Sequence, residues 1–361
     1  MSRLAAPPII DPWARDPIRG RAWHGSAAPR RVLAIRLQAL GDVVITMPYL
    51  QALGDRYPDA GIDFVTLAEY ADIPRSLALF ERVFALGGGR SPRQQLAAAT
   101  ALVARLIGRR YDVVLDLQRN RVSRWMRGLV SPPAWSEFDR FSAMPAGERT
   151  RRTIAFAGLD GRPATVPIRP IDPNAGLDAL AGAGWNGRDH LVVLNPAGCW
   201  HTKNWPLSAY IEFARLWHEA GPWRDSRFLV LGTPSLAARA AELRAALGAS
   251  VIDLVGRTTQ ADALAIVRRA SLMVSDDSGL MHMAWVSGVP TVALFGASRA
   301  DWAAPQGMRA RTLDALDMPC GQCGRTTCAI GDVPCLTRHT PQRVFELALA
   351  VTADVPQGAA L

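Results

Sequence analysis

Short, wholly apolar runs alternate along this chain with longer segments in which apolar residues recur every three or four positions. The first kind reads as strands buried on both faces, the second as helices with one buried side. Arg31–Leu37 (RVLAIRL) opens the series as a strand, and a helix is expected from the loop Gln38–Asp42 to about Leu53. Pro48 lies inside it, so that helix is expected either to start near Thr46 or to kink. Ile62–Leu67 and Tyr111–Leu117 (YDVVLDL) are further strands, with an Ala/Leu-rich helix over 93–109 between them. A second series begins at Leu191 with LVVLNP. It continues through helix Ser208–Ala220, strand Phe228–Gly232, helix Leu236–Leu247, strand Val251–Leu254 and helix Ala261–Arg269. Strand Leu272–Ser275, helical run Leu280–Ser287, strand Thr291–Phe295 and a last helix Pro341–Val351 complete it. Strands that alternate with helices predict an α/β chain of doubly wound parallel sheets.

The same pattern divides the chain. Residues 1–29 carry Pro, Arg and Gly without apolar periodicity and are expected to form a flexible or loosely docked extension. From Ser131 to about Asp189 prolines and glycines accumulate (Pro132, Pro133, Pro163, Pro167, Pro170, Pro173), which predicts irregular structure and a linker. The domains expected are therefore 30–170 and 189–340, both Rossmann-like, joined by a linker 171–188 and followed by a helix and tail over 341–361. Two such halves are expected to face a central cleft, where ligands of α/β folds usually sit.

Val274–Ser298 (VSDDSGLMHMAWVSGVPTVALFGAS) organises the second series. A strand there ends in small polar residues and opens a helix, presenting unpaired backbone N–H groups and the positive end of the helix dipole. Phosphate groups bind at such places. Ser278 and Gly279 suit a pyrophosphate, Asp277 suits sugar or ribose hydroxyls, and His282 lies one helical turn further on. A capping role for Asp277 and a core position for His282 are the plainer alternatives. Gly288, Val289 and Pro290 then break the helix and return the chain to a parallel neighbour.

Other strand ends carry candidates of their own. Asn195–Pro206 (NPAGCWHTKNWP) follows the first strand of the second series; Lys203 suits a departing phosphate, and Gly198 and Thr202 offer donors. A surface lysine and two packing tryptophans account for the same residues. In Gln38–Asp42 (QALGD), Gly41 lets the backbone turn, and Asp42 either caps the next helix or takes a proton from a sugar hydroxyl. Arg119, Arg121, Arg124 and Arg127 follow YDVVLDL; one or two are expected to hold an anionic acceptor and the others to face solvent. The acceptor set is taken as Gly41, Arg119, Asn120 and Arg121.

Cys320, Cys323, Cys328 and Cys335 crowd one short loop, within 318–336, as C-x2-C-x4-C-x6-C. In a reducing compartment that spacing points to a structural zinc or iron before disulfides, with four free thiols as the alternative. Cys199 stands apart and reads as a packed thiol.

Composition narrows the function classes. At 49% hydrophobic and 20% charged residues the 361-residue chain is globular, with no apolar run near the roughly eighteen residues of a membrane span. Pro7, Pro8, Asp11, Pro12 and Asp16 interrupt any secretory segment, so a cytoplasmic location is expected. The net charge of +9 favours anionic partners, including a peripheral contact with the inner face of the cytoplasmic membrane. Its arginines are scattered and no nucleic-acid module is present, which argues against nucleic acid. No GxGxxG follows an early strand and no GxxxxGK[ST] occurs, which disfavours dehydrogenases and P-loop enzymes. The absence of any Asp-x-Asp removes the usual carboxylate pair for a metal–nucleotide complex.

Taken in order, four motifs resemble glycosyltransferase family 9, the heptosyltransferases of lipopolysaccharide core assembly. They are RLQALGDVVITMPYLQAL (Arg36–Leu53), YDVVLDLQRNRVS (Tyr111–Ser123), Lys203-Asn204-Trp205-Pro206 and SDDSGLMHMAWVSGVPTVALFG (Ser275–Gly296). The resemblance spans about residues 31–350. It implies a GT-B fold, with acceptor bound mainly by the first domain and nucleotide sugar by the second. It implies an inverting transfer without a catalytic metal, from ADP-heptose to a lipopolysaccharide-core-like or other anionic glycan or glycolipid. Asp42 would be the general base and Lys203 would stabilise the departing phosphate. Gly198, Thr202, Asp277, Ser278, Gly279 and His282 would bind the donor. A late cysteine cluster holding a metal, as in some relatives, matches Cys320–Cys335. Two other functions stay open: transfer of another nucleotide sugar or to a protein, and a catalytically silent nucleotide-sugar-binding subunit.

Overall fold

The computed structural model describes residues 18–89 and 91–353, which form two compact units that meet in sequence between Ile171 and Asp172. The first holds the strands β1 (Gly20–Arg21), β2 (Arg31–Ile35), β3 (Gly61–Leu67), β4 (Arg82–Leu86), β5 (Val113–Asp116) and β6 (Ala134–Glu137). They lie side by side in the order β1-β6-β5-β2-β3-β4, all parallel except β1, which runs antiparallel to β6. The second holds β7 (Leu191–Asn195), β8 (Arg227–Gly232), β9 (Val251–Val255), β10 (Leu272–Asp276), β11 (Thr291–Leu294) and β12 (Ala310–Leu313). Their order is β12-β11-β10-β7-β8-β9, parallel throughout. From β2 in the first sheet and from β7 in the second, the chain starts in the middle, winds outward one way and then returns to wind out the other, with β1 added at the edge of the first sheet. That is the doubly wound Rossmann order. The reversal falls between β2 and β5 in the first unit and between β7 and β10 in the second, where loops at the strands' carboxyl ends diverge and leave a crevice.

The central strands are the apolar runs because helices cover both of their faces. Val192, Val193, Leu194, Leu229, Val230, Val274 and Leu294 are 0% exposed. Trp217, on the helix Leu207–Ala220, is the hub of the second core, packing its ring on Phe213 at 5.8 Å, Trp223 at 5.7 Å and Phe345 at 6.0 Å. Phe345 belongs to the terminal helix Pro341–Thr352, so this aromatic contact docks the end of the described chain onto the second sheet.

Several expectations need correction. The helix Leu40–Arg56 starts at Leu40, before Thr46, and runs through Pro48. Of the expected extension 1–29, residues 1–17 lie outside the described residues, but Gly20–Arg21 form a strand docked on β6 and Trp23 donates its N–H to the Ala157 carbonyl. The Pro/Gly-rich region from Ser131 is not irregular throughout: it contains β6 and the helix Ala146–Phe156. That helix hides its buried side from a hydropathy reading because Arg149, Thr150 and Thr153 occupy it. The expected linker also carries a helix, Leu177–Gly182, anchored by the fully buried Leu180. Among the described residues no helix is long and apolar enough to cross a membrane.

Candidate active site

In the second unit, Asn195 at the end of β7 and Ser275 and Asp276 at the end of β10 meet at the reversal point. Asn195 ties the two strands together, its side-chain amide donating to Ser275 Oγ at 2.7 Å and Ser278 Oγ at 2.6 Å. Ser278 caps the helix Gly279–Val286, its hydroxyl accepting from the Met281 N–H. The first N–H groups of that helix, beginning at Gly279, have no partner within the helix and carry its positive dipole end. At the far end, Gly288 adopts φ +77°, and the Val289 and Gly288 N–H groups bond back to the Ala284 and Trp285 carbonyls. This left-handed closure turns the chain into β11.

The loop Pro196–Trp205 lies over this helix start. Lys203 Nζ stands 2.6 Å from Asp277 Oδ2, with Lys203 and Asp277 side chains only 15% and 10% exposed, and 4.9 Å from the Trp200 ring centre. A cation and a carboxylate thus share the mouth of the crevice. Gly198 permits the loop's tight fold, because a Cβ there would lie 2.5 Å from the Lys203 carbonyl oxygen. Thr202, expected to offer a donor to the ligand, is 1% exposed and gives its hydroxyl to the Arg325 carbonyl in the cysteine loop. His282 is 3% exposed and accepts the Trp285 indole N–H on Nδ1, which leaves the ring proton on Nε2 in the neutral form. Cys199, expected to be packed, is exposed.

The first unit has a matching arrangement between β2 and β5. Gln118 accepts the N–H groups of Leu37 and Gln38 on its side-chain oxygen, at 2.9 and 3.1 Å, which locks the loop after β2 to the loop after β5. Asp42 lies in the first turn of its helix, 40% exposed, with Oδ2 2.8 Å from the Arg36 guanidinium and accepting from the Ala39 N–H. It therefore caps the helix and presents a carboxylate at the same time. Gly41, expected to make a tight turn, is instead part of the helix. Arg36 is nearly buried and stacks on Phe138, 4.9 Å from the ring centre.

The arginines after β5 are mostly turned inward. Glu137, 1% exposed, faces Arg119 at 3.3 Å, Arg124 at 2.9 Å and Arg127 at 2.7 Å. Burial pushes the Glu137 carboxyl upward, but hydrogen bonds from Arg124 and Arg127 outweigh it and hold the group below the usual range. Fully buried Asp116 goes the other way, raised by desolvation. Asn120 caps the helix Arg121–Val130, exchanging bonds with Ser123. Of the expected acceptor set, Arg121 alone presents an exposed side chain.

The four late cysteines line one cavity of about 130 Å³ together with Thr202, Ala297 and Arg325. Burial first, and then the neighbouring three thiols, push Cys335 up to about 11. Among the described residues no group of three or more His, Cys, Asp or Glu side chains is spaced to hold a metal ion as it stands.

Sequence reasoning did not single out Arg36, Gln118 or Asn195 as the residues that hold these loops in place. Their positions at or just beyond strand ends were the available signal.

Comparison with known proteins follows the same lines. The family model described as glycosyltransferase family 9 (heptosyltransferase) matches residues 170–333. Lipopolysaccharide heptosyltransferase 1 of Pseudomonas aeruginosa is 29% identical over 352 residues, covering 87% of this chain and 96% of that protein. The crystal structure of a family 9 glycosyl transferase from Veillonella parvula superposes with TM-score 0.76 at 18% identity, over 90% of this chain and 97% of that one. The E. coli ADP-heptose lipopolysaccharide heptosyltransferase II structure does so with TM-score 0.67 at 21% identity, over 90% and 98%. The two doubly wound sheets are those of the GT-B fold, and in sequence the chain is similar to glycosyltransferase family 9 through the stretch 170–333.

Proposed function

We propose that this glycosyltransferase moves a heptose from ADP-heptose to a lipopolysaccharide-core-like or other anionic glycan acceptor, with inversion at the anomeric carbon. The observation that carries the reading is the Lys203–Asp277 pair beside the Ser278-capped helix start at the second sheet's reversal point. A diphosphate placed there meets free backbone N–H groups, a helix dipole and an ammonium group. Asp277 is left to bind hydroxyls of the sugar once Lys203 turns to phosphate. The names of the P. aeruginosa and E. coli relatives support heptose and ADP as the donor's parts.

Asp42 supplies the other half of the chemistry. Its carboxylate takes the proton of the acceptor hydroxyl as that oxygen bonds to the anomeric carbon and the bond to the departing phosphate breaks. Attack on the face opposite the leaving group inverts the centre. Arg36, 2.8 Å away, pairs with Asp42 and aims it. Lys203 and the helix start take up the negative charge that develops on the leaving diphosphate, as pre-set electrostatic stabilisers do. The absence of an Asp-x-Asp motif is consistent with transfer that relies on these groups in place of a metal. Arg121 and the +9 charge suit an anionic acceptor and a peripheral contact with an anionic membrane surface.

We also assign Cys320, Cys323, Cys328 and Cys335 as ligands of a structural zinc or iron. Four thiols lining one small cavity match in number and kind the donors that a structural zinc or iron takes, and they would have to draw together to bind it. Such an ion would tie the loop to itself and hold its Arg325 carbonyl against Thr202.

The test is turnover of ADP-heptose on a purified core acceptor by wild-type protein and Asp42→Ala. Transfer by the first and none by the second, with donor binding retained, supports the assignment. Loss of donor binding in the variant with no specific loss of turnover removes Asp42 from the chemistry.

A further inference from the structure

The donor loop is held by two rungs to the end of β10, and only the outer one has been given a part in donor binding above. The outer rung is Lys203 to Asp277, at the mouth of the crevice. The inner rung joins the next residues inward: the Trp205 backbone N–H donates to Asp276 Oδ1 at 3.0 Å. Asp276 is 0% exposed. Its Oδ1 also accepts from the Tyr210 hydroxyl at 3.1 Å, and that hydroxyl lies 3.2 Å from the Asn195 carbonyl at the end of β7. The Gly198 N–H, at the other end of the loop, lies close enough to favour the charged carboxyl as well.

Trp205 is a fixed point. It is fully buried, its indole N–H donates to the His339 carbonyl at 2.9 Å, and its ring meets Tyr210 edge-on at 4.9 Å. Arg239 closes the loop from outside, binding the Pro196 carbonyl at 2.6 Å and the Asn204 side-chain oxygen. The loop's backbone is therefore tied to β10 through the buried Asp276 carboxyl, whose Oδ1 takes the Trp205 N–H; among the described residues its Oδ2 has no partner that meets hydrogen-bond geometry. A buried acid is costly there unless something else requires it.

We propose that Asp276 is a positioning residue for the donor: it fixes the backbone of Pro196–Trp205 to β10, so that Lys203 stays over the helix start when a diphosphate draws it away from Asp277. This rests on the donor reading above. When the outer rung opens to admit phosphate, the inner rung keeps the loop in register, and the cost of binding is confined to one side-chain rearrangement.

The experiment measures ADP binding by calorimetry for wild type, Asp276→Ala, Asp276→Asn, Tyr210→Phe and Lys203→Ala, with thermal melts and kcat and KM alongside. Asparagine keeps an oxygen for Trp205 and Tyr210 to donate to; alanine keeps none. Asp276→Ala is expected to weaken ADP about tenfold or more and raise the donor KM alike, with kcat at saturating donor within about threefold. Asp276→Asn is expected to restore ADP binding to within about threefold of wild type. Equal ADP affinity in wild type and Asp276→Ala overturns the proposal. So does equal loss in alanine and asparagine variants, which marks a charge or fold effect rather than an anchor. If Asp276→Ala does not fold, Tyr210→Phe decides: about threefold weaker ADP binding supports the anchor, and unchanged binding overturns it. Wild-type protein that binds no ADP sinks the donor reading itself, and normal Asp276→Ala beside a weakened Lys203→Ala sinks only Asp276.

Discussion

Breaking the Lys203–Asp277 pair from each side tests whether the two residues hold each other or serve the donor. The groups are 2.6 Å apart with side chains 15% and 10% exposed, so their hydrogen bond is charged and sheltered. Such a bond contributes about 1.5–3 kcal/mol net, or about ten- to 150-fold in affinity. Lys203→Ala removes the ammonium that the donor phosphate is to meet. ADP binding should fall by that range and kcat by about 10²–10³, the loss typical of a pre-set charge stabiliser. Asp277→Ala works the other way for ADP, freeing Lys203 and removing a carboxylate close to the phosphate. ADP should then bind as well as in wild type or up to about tenfold tighter. The nucleotide sugar should gain less than ADP or lose affinity, because its hydroxyl partner is gone. Calorimetry with ADP and with ADP-heptose on the three proteins reads both effects. Unchanged ADP affinity in Lys203→Ala, or an ADP loss in Asp277→Ala as large as in Lys203→Ala, would refute the reasoning.

Asp42→Asn should lower transfer by about 10²–10⁴ with ADP affinity unchanged, the signature of a lost general base, read by initial rates and calorimetry. Elemental analysis of protein purified without chelators should find close to one zinc or iron per chain, and Cys328→Ser should lower that content. Because thiols bind metal as thiolates and burial and neighbouring thiols push Cys335 up to about 11, metal affinity should rise with pH across the neutral range. Trp217→Ala should cost about 3–5 kcal/mol in chemical denaturation by emptying the aromatic hub of the second core. Asp276 is pushed up to about 7 by burial, against hydrogen bonds from Trp205 and Tyr210 and the charge of Arg239. Its folded pKa therefore exceeds the unfolded value near 4. Between about pH 4 and 7 the unfolded chain loses this proton first, so stability falls with rising pH by on the order of a few kcal/mol. Asp276→Asn should remove that fall, as thermal melts across the window would reveal.

Much of the fold was legible because buried parallel strands need uninterrupted apolar runs, and β2, β7, β8, β10 and β11 have them. The edge strands β4 and β12 were not, since one side faces solvent and their residues mix polar with apolar. β6 escaped for another reason: its Ser136 and Glu137 are buried polar residues held by Thr153 and by arginines. At the site, strand ends drew attention to Asp42, Lys203 and Ser278, and the structure places each of them at a reversal point, where loops are exposed. Side-chain direction was not legible. Thr202 and Arg119 sit in motif positions that suggest ligands, yet packing turns one toward Arg325 and the other toward Glu137. Spacing in sequence does not carry that information.

The central claim, a diphosphate-sugar donor held by Lys203 and the helix start at Ser278, is tested most directly by calorimetry with ADP-heptose, UDP-, GDP- and dTDP-sugars, and NAD. Selective binding of ADP-heptose, lost in Lys203→Ala, is the result expected. No binding of any nucleotide sugar by the wild-type protein would contradict the account.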